Sequence, residues 1–346
     1  MKEVKDLLKA YMDREGFNDD SLADQVKVSK ITIYNWRTGI VKKIGCDKIK
    51  QCAEVLNLIP EERREFLIAA KCLPPEEEVP LVPIVNIPIH YPQQFFGREM
   101  EVKRIFERWK QLPLHHLAVI GPTKSGKTSL LHYVKNIHTA TRLREGQCQD
   151  CLPSAYQFVF VDFQGAGMCE VERLLTYILK ELNLTVPSPC DLFHFIDVMR
   201  YELHKPTVLL MDRIDIALQA EALNYQFWWG IRSLVINDLK GRLGLLVASP
   251  QLPTELIPKG GDNQPSPFLN IFADVLTLES FEESEARKLL QSSPQPLDEA
   301  DVEWILENSG RWPALVQMLC DMRLKMSGEG WKEVGLKRIE PYRYLL

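Results

Sequence analysis

The chain has 346 residues, 45% of them hydrophobic and 26% charged, with a formal net charge of −5; this is ordinary globular composition for about two domains, and the charge gives no global argument for nucleic acid. No run approaches the roughly 18 consecutive apolar residues of a membrane span, and the amino terminus, Met1-Lys2-Glu3-Val4-Lys5-Asp6, is charged where a secretory leader is apolar, so a cytoplasmic protein with no membrane contact is expected. Of the eight cysteines only Cys148 and Cys151 stand at metal-ligand spacing, which makes either half a zinc site or two reduced thiols in a polar insertion.

Helical periodicity begins at once, with Val4, Leu7, Leu8, Tyr11 and Met12 on one face. Asp20 and Ser21 are cap candidates for a short helix over Leu22 to Val26, and Ser29 can cap a second over Lys30 to Arg37 that Gly39 would stop. Two short helices joined by a tight turn read as a helix-turn-helix. In the second, Ile33 and Trp36 point inward with Val26, leaving Lys30, Ile31, Tyr34 and Asn35 as candidate readers of DNA, with Thr32 and Arg37 beside them. Lys27, Lys30, Arg37, Lys42, Lys43, Lys48 and Lys50 face one acid, Asp47, across this stretch, a local basic face of the kind phosphate contacts require. Helices are expected again over Asp47 to Leu56 and Pro60 to Cys72. The strings S-L-A-D-Q-V, S-K-I-T-I-Y-N-W-R-T-G and I-K-Q-C-A-E-V-L-N-L resemble the Cro/repressor-like helix-turn-helix family over nearly all of residues 1–73. That resemblance implies recognition-helix contacts with double-stranded DNA in the major groove; such bundles also dock proteins, and both readings stay open.

Residues 74–94 form a Pro-rich linker, with Pro74, Pro75, Pro80, Pro83, Pro88 and Pro92 excluding helix. Val79, Leu81, Val82, Ile84, Val85, Ile87 and Ile89 are too many apolar residues for a solvated tether, so part of it should lie against the next domain. Phe95-Phe96-Gly97-Arg98-Glu99 then opens a helix through Val102, Ile105, Phe106 and Trp109.

The apolar run Leu117 to Ile120 leads into Gly121-Pro122-Thr123-Lys124-Ser125-Gly126-Lys127-Thr128-Ser129, which matches G-x-x-x-x-G-K-[ST] at every fixed position. Glycines let the backbone wrap a phosphate chain, so that amide groups and the start of the following helix face the anion. Lys127 would reach the β and γ phosphates of ATP or ADP, and the Thr128 hydroxyl would bind Mg²⁺. After a polar insertion over residues 138–154, apolar β-rich runs recur at Phe158 to Phe163, Thr207 to Asp212, Gly244 to Ser249 and Val275 to Leu278. Continuous apolar strands separated by helices predict an α/β fold with a parallel sheet covered on both faces, its ligands at the carboxyl ends of the strands.

Asp212 ends such a strand and is the second candidate for Mg²⁺. The usual neighbouring acid is replaced by Arg213, with Asp215 two places on, so Asp215 either substitutes as the group that orients water or the chain hydrolyses slowly. Ser249 either touches the γ-phosphate or attacking water or merely caps its strand. Arg232, near Trp228 and Trp229, is either a finger toward a neighbouring subunit's nucleotide or a surface ion pair.

A helical lid over residues 282–346 completes the expected plan, after an ATPase core over 95–281. It holds helices near residues 281–290, 301–308 and 313–325, with Gly310-Arg311-Trp312-Pro313 between the last two. Phe-Phe-Gly-Arg-Glu, the P-loop, L-L-M-D-R-I-D, L-L-V-A-S, S-P-F-L-N-I-F and G-R-W-P-A-L-V-Q are together similar to the STAND class of AAA+-like signalling ATPases, from about Phe95 to Lys325. The resemblance implies a switch in which ADP holds a closed monomer and ATP an open, self-associating form. It also implies that Pro313 contacts nucleotide from the lid and that Arg98 belongs to the cofactor site. Three functions fit: a nucleotide-switched DNA-binding regulator, a signalling or defence adaptor that docks a protein effector, or a DNA-targeting ATPase of a mobile element.

Overall fold

A computed structural model describes residues 3–40, 45–58, 60–70, 72, 82–140, 143–144, 146–147, 156–256, 267–326, 328 and 330–346. Lys42, Lys43, the Cys148 and Cys151 pair, and linker prolines 74, 75 and 80 lie outside these residues. The chain divides into two compact units, Met1–Val79 and Pro80–Leu346.

The first unit is helical: α1 (Val4–Glu15), α2 (Asp19–Val26), α3 (Lys30–Thr38), α4 (Cys46–Val55) and α5 (Pro60–Ala69). Leu8, Leu22, Val26, Ile33, Ile49 and Phe66 fill its core, and Trp36 closes it. The cap of α2 is Asn18 rather than Asp20 or Ser21: its side chain accepts from the amides of both, and the Ser21 hydroxyl in turn accepts from the Asn18 amide. Starting α2 at Asp19 turns two carboxylates toward α3, with the consequence described below. Ser29 caps α3 as expected and Gly39, at φ 75°, ends it. The turn between the two helices passes through Lys27 in the left-handed region, at φ 54°. Cys46 and Cys72, to which the sequence assigned no role, form a disulfide that ties the start of α4 to the residues after α5.

The second unit is built on a five-stranded parallel sheet: β1 (Leu117–Ile120), β2 (Gln157–Asp162), β3 (Thr207–Asp212), β4 (Leu243–Ser249) and β5 (Asp274–Thr277), in the order β2-β3-β4-β1-β5. Helix α6 (Glu99–Glu107) precedes β1 and α7 (Lys127–Asn136) follows it; α8 (Val171–Glu181) and α9 (Leu192–Glu202) lie between β2 and β3 in sequence. Helices α10 (Ile214–Gln219) and α11 (Tyr225–Ser233) connect β3 to β4. Alternation along the strands explains the unbroken apolar runs. In β3, Leu209 and Met211 join one core with α8, α9 and α11, while Val208 and Leu210 join another with α6 and α7.

The lid comprises α12 (Glu283–Gln291), α13 (Glu299–Ser309), α14 (Pro313–Lys325) and α15 (Gly330–Ile339) around its own core of Phe281, Leu289, Ile305, Leu315, Leu319 and Trp331. Val82 and Phe96 belong to that same core, so residues after the undescribed part of the linker pack on the lid.

Candidate nucleotide-binding site

Strand β1 ends at Ile120 and α7 begins at Lys127, so the six residues between them form the P-loop. Gly121 lies at φ 149° and Gly126 at φ 97°. A Cβ on Gly121 would stand 2.9 Å from both the Leu278 carbonyl oxygen and the Ser125 hydroxyl, so only glycine fits. Lys124 also takes a left-handed backbone, at φ 72°. The loop, the start of α7, the end of β3 and Pro250 just after β4 line a cavity of about 330 Å³, within the size range of small-molecule sites.

Lys127 is buried there, and its ammonium donates to the Gly121 and Pro122 carbonyls at 2.7 and 2.8 Å. Burial pushes it down to about 8, against the pull of Asp212. An arriving phosphate would offset the solvation that burial has taken from the ammonium. The Thr128 hydroxyl donates to Asp212 Oδ2 at 2.7 Å, and the Arg213 amide donates to Asp212 Oδ1 at 3.1 Å. Asp162, in register with Asp212 at the end of the neighbouring strand, adds a second carboxylate. Burial raises the Asp212 pKa, and Asp162 raises it further. A hydroxyl and a carboxylate in contact at a buried strand end form a hard oxygen donor set suited to Mg²⁺. Ser125 Oγ is fully buried and has no hydrogen-bond partner among the described residues, and such an orphaned polar atom at a phosphate cradle fits an anion-binding role.

The remaining predicted residues divide. Pro122 accepts from Lys127 through its carbonyl, and Thr123 lines the cavity. Pro313 opens α14 and lines the cavity with Ala314 and Gln317. Ser129 also reaches the cavity, but its hydroxyl accepts from the Ile89 amide at 3.1 Å. Arg98 is buried and lines the cavity, but its guanidinium donates to Glu101 and to the Ser125 and Glu279 carbonyls and lies over the Phe281 ring, while its amide donates to Glu285. It therefore clamps the P-loop to the entry of the lid.

Two sequence expectations are corrected. Ser249 does not line the cavity: its hydroxyl donates to the Gln251 carbonyl at 2.5 Å, the strand-capping alternative. Asp215 does not line it either, because both of its oxygens accept from Arg213, at 3.1 and 2.9 Å, leaving no carboxylate free to orient water. Arg232 makes no ion pair among the described residues and instead lies over the Trp229 ring.

Residues read as linker also build the site. Ile84, Asn86, Ile87, Pro88 and Ile89 form a strap along the cavity, held by the Ile84 amide to Gln317 at 2.6 Å and by Ile89 to Ser129. Their apolar excess was the signal that they are not a tether. Gln164 is a cavity residue that no motif marked, and Gln317 ends the G-R-W-P-A-L-V-Q string without having been given a role.

In the first unit the candidate DNA-contact residues share α3. Ile31 and Tyr34 are 69% and 47% exposed, and Thr32 and Asn35 are half-buried. The Thr32 hydroxyl pairs with Ser29 Oγ at 2.8 Å. The basic face is less free than its local composition implied. Arg37 makes a bidentate pair with Asp19 at 2.9 and 2.8 Å, and Lys30 pairs with Asp20 at 2.6 Å, both acids coming from the preceding helix.

No protein-family model matches the chain, and no curated protein sequence matches it. Solved structures do. The Walker-type ATPase PABY2304 of Pyrococcus abyssi superposes with a TM-score of 0.52 at 12% identity, over 74% of this chain and 75% of that one. Orc1 of Aeropyrum pernix, solved in complex with DNA, superposes with a TM-score of 0.50 at 14% identity, over 71% of this chain and 66% of that one. The chain shares their α/β P-loop fold, a parallel sheet followed by a helical region. No helix among the described residues is long and apolar enough to cross a membrane.

Proposed function

We propose that this protein is a nucleotide-switched regulator of the STAND type that binds ATP and ADP at the P-loop, self-associates in its ATP form and engages double-stranded DNA through its amino-terminal unit. The observation that carries the nucleotide reading is the meeting of Lys127, Thr128 and Asp212 in one cavity behind a loop that only glycine can close at residue 121. Mg²⁺, held by Thr128 and Asp212, would supply charge neutralisation at the phosphate oxygens. The switch reading is supported by the lid itself reaching the cavity through Pro313 and Gln317, so that a bound ligand would touch both core and lid.

Support for DNA comes from the paired short helices α2 and α3 and from the exposed face of α3. The alternative, a docked protein effector, draws on the exposed Ile31, Tyr34 and Ile40 and on the acids that neutralise Lys30 and Arg37. In this proposal the boundaries are 1–73, 74–94, 95–281 and 282–346, with the cavity-lining strap as part of the second unit's working site.

Light scattering of the purified protein with Mg²⁺, a non-hydrolysable ATP analogue or ADP, and duplex DNA tests the whole reading. Growth in mass with the ATP analogue alone supports the switch; no change with any nucleotide overturns it. Lys127→Ala should abolish binding of both nucleotides.

A further inference from the structure

Among the described residues, four cationic side chains line the cavity: Arg98, Lys124, Lys127 and Arg213. Arg98 is buried and fully engaged by Glu101, two backbone carbonyls and the Phe281 ring, so moving it would break the joint between P-loop and lid. Lys124 lies over the Tyr342 ring near the carboxyl end of the chain. Lys127 has its role from the motif. Arg213 differs from all three.

It follows Asp212 directly, its backbone takes the left-handed region at φ 59°, and its amide is fixed to the Asp212 carboxylate. Arg98 and Lys124 share that region, at φ 63° and 72°, so what sets Arg213 apart is its side chain. The guanidinium is 34% exposed and is held by one group, Asp215, in a planar two-bond fork. That fork is the geometry with which arginine takes two oxygens of a phosphate. Asp215 thus presents the oxygen pair that a phosphoryl group would present, at the end of the strand that carries the metal-binding candidate.

We propose that Arg213 is a phosphate-sensing residue acting within its own chain, exchanging Asp215 for the terminal phosphoryl group of a bound nucleoside triphosphate. The inference rests on the nucleotide-binding reading of the cavity and adds to it the means of telling triphosphate from diphosphate. Asp215 is then a holding partner rather than a base. No bond is made or broken: one ion pair is replaced by another. Because α10 begins at Ile214 and carries Asp215, release of that carboxylate couples the nucleotide's phosphate number to the segment after β3.

Calorimetric titration of the full chain with Mg²⁺ and either ADP or a β,γ-imido ATP analogue tests the assignment. Arg213→Ala should weaken the triphosphate about 10- to 100-fold, the scale of a charge-assisted hydrogen bond, and leave ADP within about 2-fold. Asp215→Asn should strengthen triphosphate binding relative to ADP by removing the competing anion. Arg213→Lys, which keeps the charge without the fork, should recover part of the preference. Equal weakening of both nucleotides by Arg213→Ala, or a ratio unchanged in both Arg213→Ala and Asp215→Asn, would overturn the proposal while leaving the cavity's nucleotide reading intact. If the unaltered protein binds neither nucleotide, the reading beneath it fails as well.

Discussion

The Thr128 hydroxyl donates to the Asp212 carboxylate at 2.7 Å, joining the helix after the P-loop to a strand that is not its neighbour in the sheet. Strand β4 separates β1 from β3, so the contact closes across the carboxyl edge of the sheet, where α/β folds gather their ligands. Asp212→Asn should abolish the enhancement of nucleotide binding by Mg²⁺, so that affinities measured with Mg²⁺ and with chelator coincide. Its thermal midpoint should rise by a few degrees, since a buried charge is costly and its removal typically gains about 1 kcal/mol or more. An undiminished Mg²⁺ effect would take the metal away from this carboxylate.

Gly121→Ala tests the loop itself. The added methyl would meet the Leu278 carbonyl, which is backbone and cannot swing aside, and would force an L-residue to φ 149°. We expect nucleotide affinity to fall at least 10-fold and stability to fall by roughly 1–3 kcal/mol. Calorimetry for binding and a chemical melt for stability separate the two effects. Gly126→Ala, with open space around its Cβ, should cost less in stability, through its φ of 97° alone. Equal affinity in wild type and Gly121→Ala would mean that the loop does not hold the ligand.

The sheet and the P-loop were legible because each residue's role there is local. Apolar runs such as Thr207 to Asp212 are buried on both faces, and the phosphate loop is written in consecutive residues. What escaped depends on partners distant in sequence. Ser249 looks like a phosphate contact until the chain's turn brings the Gln251 carbonyl to its hydroxyl. Asp215 looks like a spare acid until Arg213 is seen to hold both of its oxygens. The strap from Ile84 to Ile89 reads as linker because its contacts, Ser129 and Gln317, lie 40 and 233 residues away. Helix α15 went unmarked because Gly330 and Gly335 dilute its pattern, though Gly335 is where Leu319 of α14 packs closely against it.

Lys30 and Asp20 form an exposed pair on the face proposed to meet DNA, and their side chains are 62% and 61% accessible. A pair this exposed contributes little to stability, so Asp20→Asn should leave the fold intact and its thermal midpoint nearly unchanged. It should nonetheless free the Lys30 ammonium. If duplex DNA is the partner, affinity should rise several-fold and the slope of log K against log salt should steepen by about 1. Gel retardation or anisotropy over a salt series gives both quantities. Should the face dock a protein instead, Asp20→Asn would leave DNA retention unchanged, and Tyr34→Ala would be the variant that loses the partner.

Turnover is the last quantity the site determines. Hydrolysis needs a water oriented toward the γ-phosphate as well as a bound metal. The position after Asp212 carries a cation, Asp215 lies outside the cavity, and the Ser249 hydroxyl is turned to its own backbone. None of the three is placed to orient water. We therefore expect phosphate release well below the typical enzyme range of roughly 1 to 1,000 per second, slow enough for ATP to act as a lasting conformational ligand. Ser249→Ala should leave that rate and the nucleotide affinities unchanged, while losing about 1 kcal/mol of stability with the strand-end hydrogen bond. Arg213→Glu should speed release by restoring an acid beside Asp212. Single-turnover and steady-state phosphate release decide the matter: rapid turnover in the unaltered protein, or its loss in Ser249→Ala, would show that the serine leaves Gln251 to reach the reacting phosphate.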